Sequence, residues 1–148
     1  MRISAKGRYA LAAAVSMAQQ YGSRECITVV SISERLGISK IYLEQVFSLL
    51  RRAGLVTSVK GSQGGYQLAR TPQQISALDV LSAVETALFD KTEDTVPQRA
   101  PDVEQAMRAS VFDRLDRSGR DALGGVTLDD LAAEAEKQKS EQAAMFYI

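Results

Sequence analysis

Apolar residues recur at three- and four-residue steps through the first third of the chain, then at two-residue steps, then again at helical spacing. Ser4 to Tyr21 is alanine-rich and places Tyr9, Ala12 or Ala13, and Val15 or Met17 on one face, which predicts a helix stopped by Gly22 and Ser23. Thr28 is a cap for a short second helix, Val29 to Leu36, with Val30, Ile32 and Leu36 apolar and Gly37 as its end. Ser39 caps a third helix running to about Ala53, whose buried stripe is Leu43, Val46 or Phe47, and Leu50, with Gly54 as the stop. Two helices joined by Leu36-Gly37-Ile38-Ser39 make a helix-turn-helix pattern.

The period then changes to two. Leu55 to Val59 alternates as a strand does, Lys60 to Gly65 reads as a turn, and Tyr66 to Ala69 alternates again, predicting a β-hairpin placed where a DNA-contacting wing belongs. Ile75, Leu78, Val80 or Leu81, and Val84 mark a further helix of about ten residues, with Asp79 and Glu85 expected on its wet face. Residues 87–101 contain two prolines and little periodicity, and read as a linker. From Asp102 to about Leu123, Val103, Met107, Val111 and Leu115 follow one another at intervals of four, the mark of a long one-sided helix. Gly124-Gly125 interrupts it. Thr127 then caps a last helix, Leu128 to about Lys137, and Lys139 to Gln142 leads to an apolar end, Met145-Phe146-Tyr147-Ile148. The expected organisation is mainly α with a small β-hairpin wing: a winged helix-turn-helix unit over residues 1–86, a linker over 87–101, and a dimerisation helix, short helix and tail over 102–148.

Composition narrows the chemistry. Hydrophobic residues make up 45% of the 148 positions, enough for a core, and no apolar run approaches the roughly 18 residues of a membrane span. The opening residues lack a signal-peptide pattern, so a cytosolic protein is expected. A single cysteine, Cys26, and no histidine exclude a disulfide framework, zinc sites built on His or several Cys, and imidazole catalysis. No catalytic or metal-ligating set is expected.

The net charge of zero conceals two unlike halves. Residues 1–72 carry 10 basic and 3 acidic side chains, and residues 73–148 carry 8 basic and 15 acidic ones. An amino-terminal excess of seven positive charges on a helix-turn-helix points to a polyanion. The candidate phosphate contacts are Arg2, Lys6 and Arg8 at the amino end, with Ser4 among them, Arg51 and Arg52 closing the third helix, and Lys60 with Gly61 on the wing. Base reading is expected from Ser39, Lys40, Tyr42, Glu44 and Gln45, with Gln45 suited to adenine and Glu44 to cytosine. The wing glycines lie between two strands rather than between a strand and a helix, which argues against a nucleotide-binding loop.

The opening Met1-Arg2-Ile3-Ser4-Ala5-Lys6-Gly7-Arg8-Tyr9-Ala10-Leu11, the run Ile38-Ser39 with Tyr42-Leu43-Glu44-Gln45, then Gly54-Leu55-Val56, Lys60-Gly61, Gly64-Gly65-Tyr66 and Leu68 carry a resemblance. Over residues 1–86 the chain resembles the Rrf-two (Rrf2) family of bacterial winged-helix regulators. The resemblance implies a homodimer reading a near-palindromic site, base contacts from Ser39, Tyr42, Glu44 and Gln45, and Lys60 in place of the family's minor-groove arginine. Cluster-bearing members hold iron–sulfur through three cysteines in the loop before the long helix, whereas residues 87–101 here contain none, so no iron–sulfur cluster is expected. The remaining branch, to which Met145 to Ile148 adds likeness, comprises regulators of cysteine metabolism that act with cysteine synthase (O-acetylserine thiol-lyase). By that resemblance the apolar tail is a partner-binding candidate, with a tail packed on its own dimer as the even alternative, and O-acetylserine is the signal that competes for the enzyme's cleft.

Three further readings accompany this one. Cys26 is a redox candidate beside Arg24, opposed by Glu25, although a lone cysteine is more often a small inert hydrophobe. A redox- or metabolite-sensing regulator of the same family serving other genes and a protein-interaction module that controls cysteine synthase without touching DNA are the alternatives. An enzyme lacks a base, nucleophile or metal set.

Overall fold

A computed structural model describes residues 2–23, 26–61 and 65–146 of the chain. Its helices are α1 (Ala5–Gln19), α2 (Val29–Leu36), α3 (Lys40–Arg52), α4 (Ala77–Val84), α5 (Pro101–Met107), α6 (Asp113–Gly124) and α7 (Leu128–Met145); the strands are β1 (Val56–Val59) and β2 (Gly65–Leu68). The helix starts follow side-chain caps: Ser4, Thr28, Ser39 and Thr127 each accept a hydrogen bond from a backbone N–H of the following turn. Gly37 ends α2 in the left-handed region at φ 68°, where an L side chain is strained, and its N–H donates to the Ser33 carbonyl. The Ser33 hydroxyl donates to the Ile38 carbonyl at 2.6 Å, pinning the turn from inside.

The core lies between α1, α3, α4 and the sheet. Ala10, Ala13, Met17, Ile32, Leu43, Val46, Phe47, Leu50, Ile75 and Val80 are buried in it. Alanines along α1 let neighbouring helices come close, which explains an alanine-rich helix at the centre rather than the surface. The strands pair antiparallel from Val56↔Leu68 to Val59↔Gly65. Ile27 adds a one-residue third strand, exchanging both backbone hydrogen bonds with Tyr66 at 2.8 and 2.9 Å. That approach requires Gly65 to be glycine, because a Cβ there would sit 2.5 Å from the Ile27 carbonyl oxygen. Phe47 of α3 stacks on Tyr66 of β2 with ring centroids 4.6 Å apart, fastening the hairpin to the helix before it.

The carboxyl half departs from the sequence reading in three places. Leu128 is fully buried in the same core, and Leu128 N–H and Ala77 N–H bond across to the Ile75 and Val126 carbonyls, so the start of α7 packs with the winged unit. Helix α7 continues to Met145 rather than ending near Lys137, because Gln138, Lys139, Glu141 and Gln142 are good helix formers and no glycine or proline interrupts them. The residues expected on the wet face of α4 have structural partners. Asp79 closes a capping box with Ser76, and Glu85 accepts from Ser4.

Helices α5 and α6 form one long rod, joined by a π-helical turn over Arg108–Phe112 in which Asp113 N–H donates to the Arg108 carbonyl. The linker before it is tied down. Arg108 donates to Asp94 Oδ1 at 2.7 Å and to the Thr92 carbonyl at 3.0 Å, while the buried Glu104 carboxylate accepts from Thr95 N–H. No helix among the described residues is long and apolar enough to cross a membrane.

Candidate nucleic-acid interface

Helix α3 has two faces set by the 3.6-residue period. Leu43, Val46, Phe47 and Leu50 point into the core, which leaves Lys40, Ile41, Glu44, Gln45 and Ser48 together on the exposed side. Lys40 and Glu44 stand one turn apart with Nζ 3.9 Å from Oε1, both about half exposed. A pair so exposed contributes little to stability and is free to exchange partners. Gln45 and the Ser39 cap are exposed as well. Tyr42 is different. It is half-buried, with its ring edge-on to Tyr9 at 4.9 Å, so its aromatic body belongs to the domain's packing.

That Tyr9–Tyr42 contact places the first turns of α1 beside the first turns of α3. Arg2 and Arg8 are exposed there and Lys6 is half-exposed, giving a basic margin next to the exposed face of α3. Arg8 donates to the Ile3 carbonyl at 3.1 Å. Ser4 is committed internally: its hydroxyl accepts from Gly7 N–H and donates to Glu85. Lys60 and Gly61 lie exposed at the end of β1, at the wing. Ser62, Gln63 and Gly64, part of the wing turn expected from the sequence, lie outside the described residues.

Arg51 and Arg52 stand apart from this group. They close α3 about 18 Å along the helix axis from Lys40, on the side where Ala69 N–H bonds the Leu55 carbonyl. Arg70, two residues beyond β2, is a further exposed basic residue. Its signal in the sequence is a basic residue next to the hairpin's closing end. The sequence reading misses Ile41. A search for buried stripes passes over an isoleucine off the stripe, and Ile41 is 71% exposed among the polar residues of α3. An aliphatic group there suits a thymine methyl.

The second exposed surface is on the long rod. Val103, Val111 and Leu115 are roughly half exposed, and Met107 is partly covered. At the chain's end Met145 and Phe146 are exposed, Met145 as the last residue of α7 rather than part of a separate tail; Tyr147 and Ile148 lie outside the described residues. Cys26 is a half-buried free thiol between α1 and α2, and the flanking Arg24 and Glu25 are outside the described residues.

Comparison with known proteins places this geometry among regulators. The Rrf2 family model, described as an iron-dependent transcriptional regulator, matches residues 3–134. The transcriptional regulator CymR of Bacillus subtilis is 33% identical over 148 residues, covering all of both chains. Its crystal structure, described as that of the global cysteine regulator, superimposes with a TM-score of 0.74 at 32% identity, covering 90% of this chain and 98% of that one. IscR of T. potens superimposes with a TM-score of 0.73 at 36% identity, covering 93% and 90%. The donor set here does not fit a thiolate-held cluster: one cysteine stands where several are needed, and it lies before α2, away from the 87–100 linker. Asp94 and Glu104 near that linker are engaged by Arg108 and Thr95, and no metal-holding group of His, Cys, Asp or Glu occurs among the described residues.

Proposed function

The chain belongs to the Rrf2 family of DNA-binding transcriptional regulators, and from that premise we propose that it is a homodimeric repressor of cysteine and sulfur metabolism genes that works without an iron–sulfur cluster. The observation that carries the DNA-binding part is the exposed face of α3, Lys40, Ile41, Glu44 and Gln45, flanked by the basic start of α1 and by Lys60 on the wing. In this reading Gln45 and Glu44 read base edges, Ile41 touches a thymine methyl, and Arg2, Lys6, Arg8 and Lys60 hold phosphates. Ser39, at the helix start, and the hydroxyl of Tyr42 complete the contact, and Gly61 lets the wing backbone approach the sugar-phosphate chain. Arg51 and Arg52 act as phosphate contacts only where the duplex extends or bends past the end of α3. Ser4 contributes by ordering α1.

The dimer is supported by the apolar line Val103, Met107, Val111 and Leu115, which the chain's own domain leaves largely uncovered. The cysteine assignment is supported by the full-length likeness to the B. subtilis regulator. Met145 and Phe146, exposed at the end of α7 and followed by Tyr147 and Ile148, form an apolar grip for cysteine synthase, released by O-acetylserine. Pull-down of cysteine synthase from cell extract tests this part. Capture that falls on adding O-acetylserine and on deleting Ile148 supports it; capture unchanged by both, or none at all, refutes the partner while leaving DNA binding standing.

A further inference from the structure

The cleft between the linker and the long rod has the features of a ligand site outside the DNA-binding face, and it borders the dimer line at Leu115. It encloses about 370 Å³, within the range of small-molecule pockets. One wall is the linker segment around Phe89, and the other is the rod from Arg108 to Leu123. Three observations converge on it.

The first is the π-helical turn, whose end residues Arg108 and Phe112 both line the cleft. Such turns cost regular hydrogen bonding and concentrate at functional sites. The second is Gly119, a half-buried glycine inside α6 that lines the cleft. Alanine would stabilise an exposed helix by about 1 kcal/mol over glycine, so the glycine is kept at a cost.

The third is charge. Arg120 donates through Nε to Asp116 at 3.2 Å and through Nη2 to the Phe89 carbonyl at 3.2 Å, with its guanidinium 5.0 Å from the Phe89 ring centre. Its Nη1 is left without a partner among the described residues. Arg108, only 12% exposed, uses Nη2 on Asp94 and Thr92 and keeps Nη1 and Nε unpaired. The Asp113 carboxylate, on the same wall, has no hydrogen bond or ion pair among the described residues. Preoriented guanidinium donors beside a free carboxylate, over Phe89, Phe112 and Leu123, complement a molecule carrying one anionic and one cationic group on a short apolar body.

We propose that this cleft binds a small zwitterion of the amino-acid class, its carboxylate on the free Nη1 of Arg120 and its ammonium on the Asp113 carboxylate. The site joins the linker that leaves α4 to the rod, so occupancy stiffens the connection between the winged unit and the rod. The proposal goes beyond the DNA-binding reading, and its test needs no DNA.

Calorimetric titration of the full-length protein with each proteinogenic L-amino acid at millimolar concentration tests it, beside the decarboxylated amine and the N-acetyl form of any that binds. The expected result is binding by a subset of the amino acids, with both modified forms and both R120Q and Gly119→Leu weakening it by about tenfold or more. Circular dichroism of the two variants confirms that they fold; the exposed Arg120 position keeps one folded variant available if Gly119→Leu is not. No heat from any amino acid, equal binding of the N-acetyl form or the amine, or affinity unchanged in R120Q overturns the proposal.

Discussion

The Glu85 carboxylate accepts two hydrogen bonds from Ser4, one from its backbone N–H and one from its hydroxyl, both at 2.9 Å. Ser4 caps α1 and Glu85 closes α4, so one carboxylate fixes the start of the central helix against an element 81 residues away in sequence. Gly7 packs against the same carboxylate, where a Cβ would have no room. Charge-assisted bonds of this kind contribute about 1.5–3 kcal/mol. Glu85→Ala should lower the unfolding free energy by that amount in urea denaturation, and by more than Glu34→Ala, whose exposed side chain makes no hydrogen bond among the described residues.

Ser16 makes the opposite prediction. It is buried among the alanines of α1 with its hydroxyl unpaired. An unsatisfied buried hydroxyl costs about 1–3 kcal/mol, so Ser16→Ala should stabilise the protein by about 1 kcal/mol, measured as a higher urea midpoint at unchanged slope.

Leu128 tests how far the winged unit extends. If α7 begins inside the core, Leu128→Ala should cost about 2–5 kcal/mol, like Leu43→Ala at the heart of α3. A cost near zero would mean that α7 folds independently.

Much of this arrangement was legible in the sequence because local signals and burial agree there. Thr28, Gly37 and Ser39 mark their helix boundaries by side-chain and backbone chemistry alone, and the two-residue alternation around the wing gave the strands to within a residue. Contacts between distant segments carried no such signal. The Ile27–Tyr66 bridge, the Ser4–Glu85 clasp and the burial of Glu104 depend on tertiary placement, which a charge or a lone isoleucine does not reveal. The π turn carried no signal either: apolar residues four apart also fit the stripe of a regular amphipathic helix, and the break over Arg108–Phe112 depends on the packed backbone. The candidate interface residues are legible by type, but the exposure of Ile41 and Arg70 is visible only in the structure.

On the wing, Lys60 is predicted to hold a phosphate. Lys60→Ala should weaken binding about equally across duplex sequences and reduce the slope of log affinity against log salt by about 1, as read by fluorescence anisotropy at several salt concentrations. An unchanged slope would remove Lys60 from the interface.

The α3 face is tested most directly by selecting duplexes from a randomised pool with the wild-type protein and with a variant carrying E44A and Q45A, both exposed and outside the core. Wild type should enrich a near-palindromic site. The variant should still bind DNA, lose about 1–3 kcal/mol per lost base contact on that site, and no longer enrich the same bases. Enrichment of an identical site at equal affinity would contradict recognition through α3.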